Sequence, residues 1–414
     1  MRKITFIHAA DLHLDSPFTG TRDLPRSLFQ RVQESTFSAL DTLITAALEH
    51  QVDFVLLCGD LFDGEDRSIK AQARLRRQLE RLMEANIKVF LLHGNHDHLS
   101  GTWTTIEMPD NVQLFSSKVE KKEYIKKDGT KVHLYGFSYE DRHVMERKID
   151  DYEKIGDAHF HIGMLHGHCE GGSALHQPYA PFSLRDLLGK EMDYWALGHI
   201  HKSQILHRDP VVAYAGNTQG RNSKEADEKG CYIVSLSDYG HTDITFIETA
   251  DIIWKSITIS LQDVRSFSQL YLICEQMLDE VRREEQGIFL KIILHHGEQL
   301  FPEAVNKYEN GELKEALQDG EEEERAFVWT YAIEMKNNHS EIMNDLRMDR
   351  FGIELEKSIV DLAEDADVFE EAIASLYTHI YGSRYLDPLT NEEKDALREK
   401  AKYLLFQYLQ EENR

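Results

Sequence analysis

At 414 residues the chain is too long for one compact core, so two or three domains are expected. Its 41% hydrophobic and 29% charged residues describe an ordinary globular protein, and no apolar run reaches the roughly 20 residues that cross a bilayer. A net charge of −26 excludes a generally basic nucleic-acid-binding surface, although roughly 15 of those charges fall after residue 300 and leave the earlier chain nearer neutral.

In chain order, residues 3–9 read as a strand running straight into a polar cluster. A cleaved leader here would remove that cluster, and the four cysteines (Cys58, Cys169, Cys231, Cys274) form no CxxC pair, so a reducing cytoplasm is expected. Cys58 lies in an apolar run and reads as a small buried hydrophobe; a thiol ligand at Cys169 is the lesser reading of that residue. Residues 25–49 carry apolar positions at helical spacing, with Pro25 at the start. Val52–Cys58 is a buried-type strand, 68–85 a second helix and Lys88–Leu92 a third strand. Strands alternating with helices, each strand ending in a polar loop, specify an α/β sheet with βαβ crossovers.

Further strands are expected at Val112–Phe115, Val132–Phe137, His159–Leu165 and Tyr194–Leu197, with Asp128-Gly129 turning a hairpin. Ile253–Leu261, Ser266–Arg283 and Ile288–His295 spell a separate β-α-β unit. Beyond about 300 the chain becomes acidic and is expected to be largely helical, with Glu321-Glu322-Glu323-Glu324 a solvated loop or helix start. Thr390-Asn391-Glu392-Glu393 is a capping-box pattern. The apolar face that follows it (Leu397, Ala401, Leu404, Leu405, Tyr408, Leu409) packs on its own domain or docks a partner. The expected organisation is 1–250, 251–340 and a helical 341–414.

Five polar clusters, each where an apolar run ends, carry the chemistry: Asp11-Leu12-His13, Gly59-Asp60-Leu61-Phe62-Asp63, Gly94-Asn95-His96-Asp97, Leu165-His166-Gly167-His168 and Gly198-His199-Ile200-His201. Asp11 and His13, two apart on an extended segment, point the same way and can serve one metal. Asp60 at a strand tip can bridge two cations, Asn95 offers a neutral oxygen, and His199 and His201 repeat the two-residue spacing. His166 completes the set, with His161 and His168 as nearby alternatives. His8, His93 and His98 read as bystanders near the site. Imidazole and oxygen donors favour Mn, Fe or Zn. Two such cations about 3.5–4 Å apart would activate water and offset charge on a phosphodiester. His96 is the candidate proton donor to the leaving alkoxide, with Asp63 orienting it.

The pattern D-x-H, G-D-x-x-D, G-N-H-(D/E), isolated H and G-H-x-H resembles the calcineurin-like metallophosphoesterase superfamily over residues 1 to about 220. That resemblance implies a layered sheet-and-helix core. It places Asp11, His13, Asp60 and His201 on one metal, and Asp60, Asn95, His166 and His199 on the other. The start "FIHAADLHLDSPF" and the layout are similar to the SbcD-related DNA-repair nucleases, most closely the YhaO-type bacterial members. This implies a nuclease domain (1–250), a capping domain (251–340) and a C-terminal partner-docking region (341–414). It further implies two divalent ions, most simply Mn2+, a homodimer, DNA as substrate and an ABC-type coiled-coil ATPase partner.

Candidate DNA contacts are Arg221, the hairpin lysines (Lys121, Lys122, Lys126, Lys127, Lys131) and the helix arginines Arg74, Arg76, Arg77 and Arg81, although such charges are more often a solvated face than a phosphate contact. A small-molecule phosphodiesterase or nucleotidase with the same centre is the main rival. A scaffold with a vestigial site is the other, and nothing in the ligand set favours it.

Overall fold

Apolar side chains alternate along the first strand, Ile4 and Phe6 to one face and Ile7 and Ala9 to the other, so both faces of its sheet must be covered. The computed structural model describes residues 2–16, 18, 24–63, 68–101, 104–171 and 179–336, with positions 357, 371, 373, 374, 394 and 401 beyond them. The chain divides into two compact units, Met1–Lys336 and Asn337–Arg414. The capping box at Thr390 and the apolar face expected after it lie, Ala401 apart, outside the described residues.

β1 (Lys3–Ala9) leads through α1 (Arg26–Glu49) to β2 (Phe54–Cys58), and α2 (Ile69–Glu84) joins β2 to β3 (Lys88–Leu92). There follow β4 (Val112–Leu114), β5 (Glu120–Ile125), β6 (Lys131–Gly136), β7 (Phe160–His166), α3 (Leu184–Gly189), β8 (Tyr194–Gly198) and β9 (Gln204–Arg208). Next come β10 (Val211–Tyr214), β11 (Gly230–Ser237), β12 (Thr242–Glu248) and β13 (Ile252–Ser260). The unit ends with α4 (Phe267–Val281), β14 (Gly287–His295), α5 (Pro302–Glu309), α6 (Glu312–Gln318) and β15 (Val328–Lys336).

Two six-stranded sheets, ordered β12-β11-β1-β2-β3-β4 and β5-β6-β7-β8-β10-β9, lie face to face. Between them Phe6, Phe54, Phe90, Ile162, Met164 and Tyr194 form a buried core. The outer face of the first sheet (Ile7, Val55, Leu57, Val89) packs on α1 and α2, and that of the second (Tyr135, Trp195, Leu197, Tyr214) on the α3 side. The result is an α/β/β/α layering. Strands β1, β2 and β3 are mutually parallel, as are β6, β7 and β8, so the clusters that follow them gather at carboxyl ends.

The third sheet, β13-β14-β15, is wholly parallel, crossed by α4 and then by α5 and α6, and has its own core around Leu270, Cys274, Leu290 and Ile292. Its other face (Trp254, Phe289, Trp329) packs against Leu28 and Val32 of α1. Ser266 caps α4 with a reciprocal Ser–Gln box.

Two expectations need correction. The region after 300 is not simply helical: Val328–Lys336 pairs with β14 as a full strand, its β-prone residues outweighing the acidic context. Nor is the whole Glu321–Glu324 run solvated. Glu321 accepts from Arg282 Nη1 and Nη2 at 2.9 and 2.6 Å and from Val328 N at 2.6 Å, tying the helices to β15. Among the described residues, no helix is long and apolar enough to cross a membrane.

Candidate metal centre

Four of the site residues sit in left-handed backbone: Asp11 (φ 52°), His13 (43°), Asp60 (51°) and His199 (95°). Non-glycine residues rarely adopt this conformation, and where they do the surrounding structure must hold them there. Here it does so by backbone bonds between the loops, Asp11 N to Gly59 O and His13 N to Asp60 O, both 3.0 Å. Glycines allow the loops to close. A Cβ on Gly94 would lie 2.3 Å from Asp60 Oδ1, and one on Gly198 would lie 2.0 Å from Cys58 O.

The carboxylates of Asp11 and Asp60 are almost wholly buried, as are the rings of His13 and His166. His13 Nε2 faces His201 Nε2 at 3.1 Å, with Asp60 Oδ2 3.9 Å from the first and Asp11 Oδ1 3.9 Å from the second. His166 Nε2 lies 3.1 Å from Asn95 Oδ1 and 3.3 Å from Asp60 Oδ2. Donor atoms of Asp11, His13 and His201 lie within 4.8 Å of one another, as do those of Asp11, Asp60 and His166. Two imidazole nitrogens turned on each other beside two buried carboxylates make a poor hydrogen-bond arrangement and a good one for divalent cations. The donor set therefore fits the metals that the sequence implies.

Hydrogen bonds on the far nitrogens fix which one is free. His166 Nδ1 lies 3.0 Å from Cys58 O and His201 Nδ1 2.7 Å from Glu225 Oε1, each placing a proton on Nδ1 and leaving Nε2 as the nitrogen turned to the other donor atoms. His199 is held differently: its backbone N–H donates to both Asp11 oxygens at 3.2 and 3.0 Å, and its ring packs at 5.3 Å on His166.

Burial raises the Asp11 carboxyl, whereas at Asp60 burial is outweighed by His166, His13 and His96, which hold it well below the usual range. Burial would lower His166, but Asp60 and Asp11 carry it up to about 9; His13 is pushed down to about 3 by burial and then by Arg221. His96 Nδ1 lies 2.9 Å from Asp63 Oδ1. Burial opposes the charged ring of His96, yet Asp63 and Asp60 raise it above an ordinary histidine.

Other sequence-selected residues lie elsewhere. His161 bonds the Tyr135 hydroxyl at 2.8 Å near the start of β7, one end away from His166. His8 is a core histidine held by Tyr194 and Leu197, and His93 pairs with buried Asp97, which also accepts from Leu61 N and Gly94 N. Cys169 is half-buried, its N–H donating to Tyr214.

Lys126 bonds Asp53 and Lys3 O at 2.9 Å, and exposed Lys127 sits beside it. Both are therefore at the amino ends of β1 and β2, about 20 Å along the strands from the cluster. Arg74, Arg76 and Arg81 are paired with Glu34, Glu80 and Asp41. Arg221, expected at a DNA contact, is turned inward: its side chain is 13% exposed and bonds Asp63, Ser16 and Glu225. Sequence reasoning missed Glu225 and Ser16; the only trace of the former is its four-residue spacing from Arg221.

The family model for calcineurin-like phosphoesterases matches residues 4–203. Across 97% of both chains the sequence is 40% identical to a Bacillus subtilis protein described as uncharacterized metallophosphoesterase YhaO. It is 30% identical to the DNA double-strand break repair protein Mre11 of Methanocaldococcus jannaschii, over 64% of this chain and 71% of that one. The protein of the same name from Thermoplasma acidophilum is 27% identical over 58% of this chain and 63% of its own.

Proposed function

The chain belongs to the calcineurin-like metallophosphoesterase family and is a metal-dependent hydrolase, and on that premise we propose that it is a DNA-repair exo- and endonuclease. The observation that carries the reading is the convergence of Asp11, His13, Asp60, Asn95, His166 and His201 beside an Asp63–His96 pair. The resemblance to proteins named for double-strand break repair directs the choice of substrate. Mn2+ is the proposed metal. The proposal extends to a cytoplasmic homodimer, a capping role for 251–340, and an ABC-type ATPase docked through 341–414.

Asp11, His13, Asp60 and His201 would hold one cation, and Asp60, Asn95, His166 and His199 the second. Cations bound there supply Lewis acidity, lowering the pKa of a water nucleophile and offsetting charge on the phosphate oxygens. His96, its side chain 29% exposed, would supply the proton that the leaving sugar oxygen needs. Asp63 orients that ring and, against the opposing effect of burial, favours its charged form. Because Arg221 is occupied inside the site, exposed Lys202 beside His201 is the better candidate for a DNA phosphate.

Incubation with linear duplex DNA and, separately, with nucleoside monophosphates and cyclic nucleotides tests the substrate. Strand cleavage is expected. Turnover of the mononucleotides alone, with DNA untouched even when a coexpressed ATPase is present, would replace this reading with the nucleotidase one.

A further inference from the structure

Glu225 and Arg221 join the two halves of the centre, and both are carried by one loop. Glu225 Oε1 takes His201 Nδ1 at 2.7 Å, while Oε2 accepts from Arg221 N at 2.8 Å and Asn217 Nδ2 at 2.9 Å. Arg221 Nη2 reaches Glu225 Oε1 at 3.1 Å, and Arg221 Nη1 reaches Asp63 Oδ2 and Ser16 Oγ, each at 3.2 Å. Asp63 in turn holds His96 through its other oxygen and takes Ser16 Oγ at 2.7 Å. An unbroken chain therefore runs from His201 through Glu225, Arg221 and Asp63 to His96.

The loop is anchored on the third sheet. Gln219 Nε2 donates to Ile252 O at 2.6 Å, its Oε1 accepts from Asp251 N at 2.9 Å, and Trp254 Nε1 donates to Gly220 O at 3.3 Å. Asp227 N returns to Trp254 O at 3.0 Å. Gln219 and Trp254 are almost wholly buried, so the loop has little room to shift without β13.

We propose that Glu225 and Arg221 are positioning residues that set the metal ligand His201 and the proton donor His96 together, from a base on β13. This rests on the metal-dependent phosphoesterase reading. Both act through other side chains, Glu225 through His201 and Arg221 through Asp63. Glu225 fixes the tautomer that leaves His201 Nε2 free, and Arg221 fixes the oxygen of Asp63 that His96 does not use. Lysine at 221 keeps the charge but lacks the fork needed to span Glu225 and Asp63 together.

Two readouts separate this from a merely structural role. Mn2+ titrated calorimetrically into the full chain should bind Glu225→Gln about 10–100-fold more weakly than wild type, the range seen when a partner of a ligating histidine is lost. Arg221→Lys should keep near-normal Mn2+ affinity. With aryl phosphodiesters of graded leaving groups, its turnover should fall about tenfold more steeply for poor leaving groups than for p-nitrophenolate, because proton donation is what suffers. If Glu225→Gln fails to fold, Glu225→Asp, which keeps the charge but withdraws it from His201, takes its place. Unaltered Mn2+ affinity in the Glu225 variant, or an Arg221→Lys loss equal across all leaving groups, would overturn the proposal. An inactive wild type that binds Mn2+ normally would count against the hydrolase reading instead, and the titration would still judge Glu225.

Discussion

The Nδ1 of His96 stands 2.9 Å from Oδ1 of Asp63, and no other hydrogen bond to the imidazole of His96 is seen among the described residues. The ring is thus oriented by one carboxylate and its side chain is 29% exposed. His96→Ala is expected to lower turnover by about 10²–10⁴-fold, the usual worth of a positioned acid, while retaining metal. Asp63→Asn should give a smaller loss. Parallel kinetics and metal analysis check both, and a metal-free His96→Ala protein would make His96 a ligand rather than the acid.

Metal should stabilise the fold as well as activate it, because buried Asp11, Asp60, His13 and His166 are brought together only in the folded chain. Adding Mn2+ to chelator-treated protein should raise the melting temperature in a concentration-dependent way. In Asp60→Ala that rise should shrink or vanish. A full rise in the variant would mean that the ion binds elsewhere.

Close approach at Gly198 makes a second kind of prediction. A Cβ there would meet Cys58 O at 2.0 Å and His166 Nδ1 at 2.9 Å, and backbone cannot step aside as a side chain can. Gly198→Ala should cost about 1–3 kcal/mol of stability, as over-packed sites do, and weaken metal binding through His166. Denaturant melts in chelator, set beside Mn2+ titrations, measure the two effects. A variant as stable as wild type would show that β8 and β2 can separate freely.

Acid sensitivity follows from His8, which burial pushes down to about 3 although its bond to Leu197 O opposes this. Below about pH 6.5 the unfolded chain binds a proton that folded His8 refuses, so stability falls as pH drops toward 3, by up to about 1.4 kcal/mol per unit for one such group. His161, lowered to about 4, acts with the same sign. His8→Gln should flatten the slope of stability against pH between 6 and 4 by close to one proton, in metal-free protein. An unchanged slope would place the acid loss on other groups.

The strand-loop alternation was readable because each ligand cluster ends a continuous apolar run, so β1, β2, β3, β7 and β8 and their loops stood out locally. Short β9, and β15 with its polar alternate positions, lacked such a run and emerged only from pairing with neighbours. Pairing across distant loops was equally invisible. Nothing local told Glu225 from the many other acids of this chain, because its role is set by His201 in another loop. Arg221 and Lys126 looked like free cations for the same reason, and only the fold turned one into the site and set the other at the opposite end of the sheets.

The account stands most directly on Mn2+-dependent hydrolysis of linear duplex DNA measured beside bis(p-nitrophenyl) phosphate, with Asp60→Ala and His96→Ala as controls. It predicts that wild type cleaves both substrates, that chelation abolishes both activities, and that Asp60→Ala cleaves neither. His96→Ala should lose DNA cleavage far more than hydrolysis of the p-nitrophenyl ester, whose leaving group needs no proton. DNA cleavage that persists undiminished in Asp60→Ala, or without any divalent metal, would contradict it.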